Sequence, residues 1–120
     1  MKSFTDLTTW QESHKFVLQI FDLSRNFSKD LQFSLKSQIE RASISITSNI
    51  AEGFGRESFQ EKVRFYFIAH GSLVEVQNQL ILARDLKQIS SSDFNSIAQQ
   101  AIIAQKLLRG LIKKTKERTS

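Results

Sequence analysis

The chain of 120 residues has no cysteine and no proline, only four glycines, and a single tryptophan, tyrosine and methionine. Without cysteine there is no disulfide and no thiolate chemistry, and a cytoplasmic location is the expectation. Without proline no helix is kinked or stopped by a missing backbone donor, so punctuation falls to glycine and to serine-rich turns. Long apolar runs are absent too. The longest, Phe65 to Val76, is broken by His70, Gly71, Ser72 and Glu75, and the opening MKSFTDLTTW lacks an apolar leader core. No membrane span is expected. Also missing are an HExxH helix, a metal-spaced Cys/His set, a Glu-x-x-His pair and a Walker loop. Catalysis, metal, cofactor and small-molecule substrate therefore have no residues to carry them.

What the chain does contain is helical periodicity. Phe16, Ile20, Leu23 and Phe27 form a stripe over about 8–27, with Thr9 and Glu12 at capping-box spacing in front of it. A second helix is expected over about 31–53, ended by the Gly53/Gly55 pair, and a third over about 57–86. The Ser90-Ser91-Ser92-Asp93 run caps a fourth, over about 92–117, with Phe94, Ile97, Ala101, Ala104, Leu108, Leu111 and Ile112 on one face. Amphipathic helices joined by short turns predict an all-α, antiparallel up-down-up-down four-helix bundle, a single domain over residues 1–120.

Two of these helices carry more than a core stripe. On the second, Ile39, Ala42, Ile46 and Ile50 share one arc, while Arg41, Ser45, Ser48, Asn49, Glu52 and Arg56 share nearly the opposite one. A plain surface helix would hold Lys and Glu there, so the small polar residues point to close packing. The arc reads either as a hydrogen-bonded network within the bundle or between subunits, or as a phosphate patch formed by Arg41, Arg56 and Arg64. The third helix is apolar around most of its circumference, from Phe59 to Leu82, which predicts a second surface to hide, such as another subunit. His70, beside Gly71, reads as a core or interface residue, and His14 as a surface one.

The net charge of +5 is unevenly placed. Basic and acidic residues cancel up to Ala104. Beyond it Lys106, Arg109, Lys113, Lys114, Lys116 and Arg118 face Glu117 alone. Lys106, Arg109, Lys113 and Lys116 share one helix face. Such a face either complements the helix C-terminus or binds RNA or DNA phosphates without reading sequence.

Three motifs add a resemblance. Asp6, Leu7, Trp10 and Gln11 form the first. Gln38, Arg41, Ala42, Ser45, Ile46, Asn49, Ile50, Ala51, Glu52, Gly53 and Arg56 form the second, and Arg64, Phe65, Ala69, Gly71, Ser72 and Glu75 the third. Together they resemble the bacterial four-helix-bundle family encoded in intervening sequences of 23S rRNA genes, to which accessory variability determinants of diversity-generating retroelements are related. Ser28 and Thr47 stand where that family usually has proline, and Glu40 where a basic residue is common. The resemblance implies a homopentameric ring without enzymatic activity, associated with nucleic acid or a ribonucleoprotein. Ser45, Ser48, Asn49, Glu52, Arg56, His70, Gly71 and Glu75 are the candidate structural or assembly residues. A protein-binding adaptor without direct nucleic-acid contact is the alternative.

Overall fold

Serine side chains begin two of the four helices. In the computed structural model, which describes residues 1–118, the Ser58 Oγ accepts the Glu61 backbone N–H and the Ser90 Oγ accepts that of Asp93. Each satisfies a donor that the first helical turn leaves unpaired. The helices are α1 Thr8–Ser24, α2 Ser37–Phe54, α3 Phe59–Asp85 and α4 Ser91–Glu117, with no strand among the described residues. No helix is long and apolar enough to cross a membrane among these residues.

Neighbours in sequence are neighbours in space, and α1 closes the ring against α4. Contacts run antiparallel throughout. Ser45 of α2 meets Ser72 of α3, while Lys62 reaches back to the Phe54 carbonyl. Gln100 of α4 donates to the Glu12 carbonyl of α1, and Thr9 donates to that of Leu107. The result is the up-down-up-down bundle that the periodicity predicts. Its long axis of 47 Å is set by α3 and α4, whose 27 residues each span about 40 Å.

Phe16, Ile20, Ile39, Ile46, Ile50, Leu73, Val76, Ala104 and Leu108 fill the centre and are essentially inaccessible. Phe27, expected on α1, is buried in the turn beyond its end, because the helix stops at Ser24.

Three local expectations are corrected. Thr9 does not cap α1. The cap position is Leu7, and the Thr9 hydroxyl is buried against α4, while the chain's N-terminal capping box sits at Ser3 and Asp6, on the short 3-10 turn before α1. Gly53 does not stop α2, since it lies inside the helix. A Cβ there would stand 2.7 Å from Tyr66 Cε1, so its role is close helix approach, and Gly55 ends the helix with ordinary right-handed φ. Finally, α2 does not start as a regular helix near residue 31. A wide π-type turn over Gln32–Lys36 precedes it and leaves Phe33 almost fully exposed.

The other end of α3 closes differently. Lys87 takes a left-handed φ of 60°, and Gln88 N–H returns to the Ala83 carbonyl, as in a Schellman turn. The Gln88 side chain then accepts the Ser28 backbone N–H at 2.7 Å, tying the two loops at that end together.

Candidate functional site

The small polar residues of α2 turn toward α3. Ser45 and Ser72 hydroxyls lie 2.9 Å apart, and the Asn49 amide donates to the Ser45 carbonyl at 2.8 Å and to its hydroxyl at 3.0 Å. The Ser45–Ser72 bond joins neighbouring helices of one chain, and the Asn49 bonds hold Ser45 in place within α2. Ser48 is exposed and makes no part of that network; with Ala51, Glu52, Gly55 and Arg56 it lines an open depression. A second depression lies between Gln38, Arg41, Ala42 and Ser45 of α2 and Ser72 and Glu75 of α3. Arg41 is exposed at its rim, and Glu75 accepts the Gln79 amide at 3.2 Å.

Arg56 and Glu52 pair at 3.2 Å, with both side chains well solvated, so the pair contributes little to stability. More informative is what lies under Arg56. Its guanidinium sits 4.5 Å from the centre of the Phe65 ring, and Arg64 stands 5.1 Å from the same ring. Arg56 and Arg64 are thus brought together on one phenylalanine, whereas Arg41 lies some four turns away along α2, at about 1.5 Å of rise per residue.

The basic residues of α4, Lys106, Arg109, Lys113, Lys114 and Lys116, and Arg118 just beyond its end are all exposed. Two of them repeat the arrangement seen at Phe65. Lys116 Nζ lies 4.8 Å from the centre of the Phe67 ring, and Arg118 lies 5.5 Å from that of Phe59. Cations attract the negative face of a ring, and here three elements use that contact within one end of the bundle. The C-terminus of α2, the first turns of α3 and the last turns of α4 thus all carry cation–ring contacts at the same end of the bundle, with Phe65 on the α2 flank of α3 and Phe67 nearly opposite it, toward α4.

One turn further along the α3–α4 seam stands His70. Its Nε2 is 3.3 Å from the Gln105 amide and accepts Arg109 Nε–H at 3.4 Å. Burial, joined by the Arg109 charge, lowers the imidazole below its ordinary value, so the ring is held neutral. Gly71 beside it is exposed, and a Cβ there would meet nothing within 4 Å. Glycine is not required at that position by any contact within the chain.

At the N-terminus the Trp10 ring stacks on His14 at 4.6 Å and meets Phe4 edge-on at 5.3 Å. His14 is therefore half-covered instead of fully surface-borne. On the opposite flank Glu40 accepts the Ser24 hydroxyl at 2.6 Å and Lys36 Nζ at 2.9 Å. Burial opposes its charge, but the Ser24 and Lys36 hydrogen bonds and the Lys36 charge outweigh that and hold the carboxyl below its usual value. Among the described residues no cluster of three His, Cys, Asp or Glu side chains could hold a metal ion.

The outward side of α3 continues the apolar surface beyond Phe67. Val74, Ile81 and Leu82 are half-exposed, and beyond Phe67 the row 71, 74, 78, 81 follows heptad spacing. Leu80 and Ile81 join Phe94, Ala98, Ala101 and Ile102 of α4 around an apolar groove.

Phe59, Phe65 and Phe67 as seats for cations were missed by sequence reasoning. A signal existed: folding α4 back along α3 about the 86–90 turn sets the first turns of α3 beside the last turns of α4.

Comparison with known proteins adds a family. A family described as 23S rRNA-intervening sequence protein matches residues 5–110. A solved structure from Bacteroides thetaiotaomicron, a protein of unknown function from the S23 ribosomal protein family, superposes with a TM-score of 0.81. It is 25% identical, over 88% of this chain and 95% of that one. No curated protein matches the chain.

Proposed function

Because this chain belongs to the 23S rRNA-intervening sequence protein family, we propose that it is a non-catalytic, oligomeric binding protein that associates with RNA, DNA or a ribonucleoprotein. The observation that carries this reading is the convergence of Arg56, Arg64, Lys116 and Arg118 on one end of the bundle, each over a phenylalanine ring. Cations clustered in this way attract phosphates, release counterions on binding and give an affinity that falls steeply with salt. Gel-shift titrations over a range of salt test it. Retention at low salt that fades as salt rises supports the reading, and no retention even at low salt sinks it.

Assembly belongs to the same proposal. The exposed apolar positions Val74 and Ile81 in that row, with Leu82 beside them and Gly71 allowing close approach, suit a helix of a second copy. The ring of five that the family resemblance implies would repeat the basic end five times. Light scattering decides this, because a monomer at micromolar concentration removes the assembly reading.

A second reading follows from the apolar groove between Ile81, Phe94, Ala98 and Ile102. It fits a protein-binding adaptor whose partner inserts an apolar side chain there, the basic end serving solubility. Copurification with and without nuclease separates the two readings: a partner retained after nuclease treatment favours the adaptor.

A further inference from the structure

Building on the reading of the basic end as a nucleic-acid surface, we infer that its ligand is single-stranded, with bases stacked on Phe59 and Phe67 and phosphates held by Lys113, Lys116 and Arg118. The two rings are the reason. Even with a cation over each, Phe59 remains 37% exposed and Phe67 47% exposed. A surface that only neutralised phosphates would gain nothing from half-exposed aromatic area, which is unfavourable in water. Bases gain from it. In a duplex their faces are already closed by stacking on each other, so only an unpaired strand can lay a base on a phenylalanine.

The spacing suits one strand. Eight residues separate Phe59 from Phe67, about 12 Å along the helix axis. A stacked strand advancing about 3.4 Å per nucleotide covers that distance in three or four nucleotides. The phosphates between them would pass the α4 cations that reach across to the same rings. Phe65 is not offered to a base, because it is less exposed than Phe59 and Phe67 and carries two guanidinium groups, Arg56 and Arg64, where each of those rings carries one cation. Glu57, Glu61 and Glu117 are exposed at this end and dilute its charge, which raises the share of binding that stacking must supply.

The test is fluorescence anisotropy at low salt with two probes, a labelled oligouridylate that forms no internal pairs and a duplex RNA of equal length. Wild type should bind the single strand more tightly. The double variant Phe59→Leu/Phe67→Leu keeps apolar bulk and removes the ring faces. It should lose about tenfold or more on oligouridylate, with duplex affinity and salt dependence unchanged. Lys113→Gln/Lys116→Gln should weaken both probes and flatten the salt dependence. Equal affinity for both probes overturns the inference, as does oligouridylate binding that is indifferent to the leucines. So does joint loss of both probes with a changed sedimentation coefficient, since the rings are then assembly contacts. Failure of wild type to bind either probe overturns the underlying reading of the basic end instead.

Discussion

Gly53 presents bare backbone to the ring of Tyr66. A Cβ at residue 53 would lie 2.7 Å from Tyr66 Cε1, 2.9 Å from Cδ1 and 3.1 Å from Phe65 Cβ, and Tyr66 is buried with little room to yield. Gly53→Ala should therefore destabilise the bundle by about 1–2 kcal/mol, overpacking outweighing the gain of about 1 kcal/mol in helix propensity. Gly71→Ala meets nothing and should stabilise the isolated chain by up to about 1 kcal/mol. Urea denaturation of both variants gives the comparison, and the same sign for the two would refute this account of Gly53.

Acid should weaken the α1–α2 contact through Glu40. Its carboxyl sits below the ordinary value of 4.5, so the contribution is complete above that value. It is lost as pH falls through the lowered native value, where the folded state must also take up the proton. Glu40→Ala should lower stability at neutral pH by about 1–2 kcal/mol, because Ser24 and Lys36 lose their acceptor. The deficit should shrink in acid. Thermal melts of wild type and variant across that range check both statements.

His70 acts in a higher window and in the same direction. Its native value lies below 6.5, so the neutral ring favours folding fully above 6.5. That contribution declines as pH drops toward the lowered native value, because the unfolded chain binds the proton first. Protonation would also set an imidazolium against Arg109. Between about pH 7 and pH 5, wild type should lose more stability than His70→Gln, as measured by denaturant midpoints.

Lys87 holds a left-handed conformation that suits glycine better. Lys87→Gly should raise stability by roughly 1 kcal/mol while leaving the Gln88 turn intact, a rise in melting temperature of a few degrees. Unchanged or lowered stability would contradict the reading of this turn as strained.

The bundle itself was legible because its apolar rows recur at helical spacing and because the Ser90–Asp93 run stands where α4 begins. Short-range chemistry was less so. Thr9 has the right neighbours for a cap, yet its hydroxyl is claimed by Leu107 on another helix, a contact no local pattern announces. Gly53 looked like a helix stop, since sequence cannot show that a tyrosine ring lies over it. The basic tail and the arginines of α2 and α3 were each visible, but their meeting at Phe59, Phe65 and Phe67 depends on how α4 folds back along α3. That the α3 stripe exceeds what one core can bury was readable from its apolar circumference, and Val74, Ile81 and Leu82 are indeed half-exposed.

The bonds that close the ring also impose an order on its making. Thr9 reaches across 98 positions to Leu107, and Gln100 across 88 to Glu12. A chain emerging from its N-terminus can pack α1 on α2 early, but offers α1 its second partner only after α4 has been translated. At about 5–20 residues per second, the 27 residues of α4 take roughly one to five seconds. For that interval α3 has α2 on one flank and nothing on the other. A nascent neighbour or a chaperone can reach it then, before the last helix arrives.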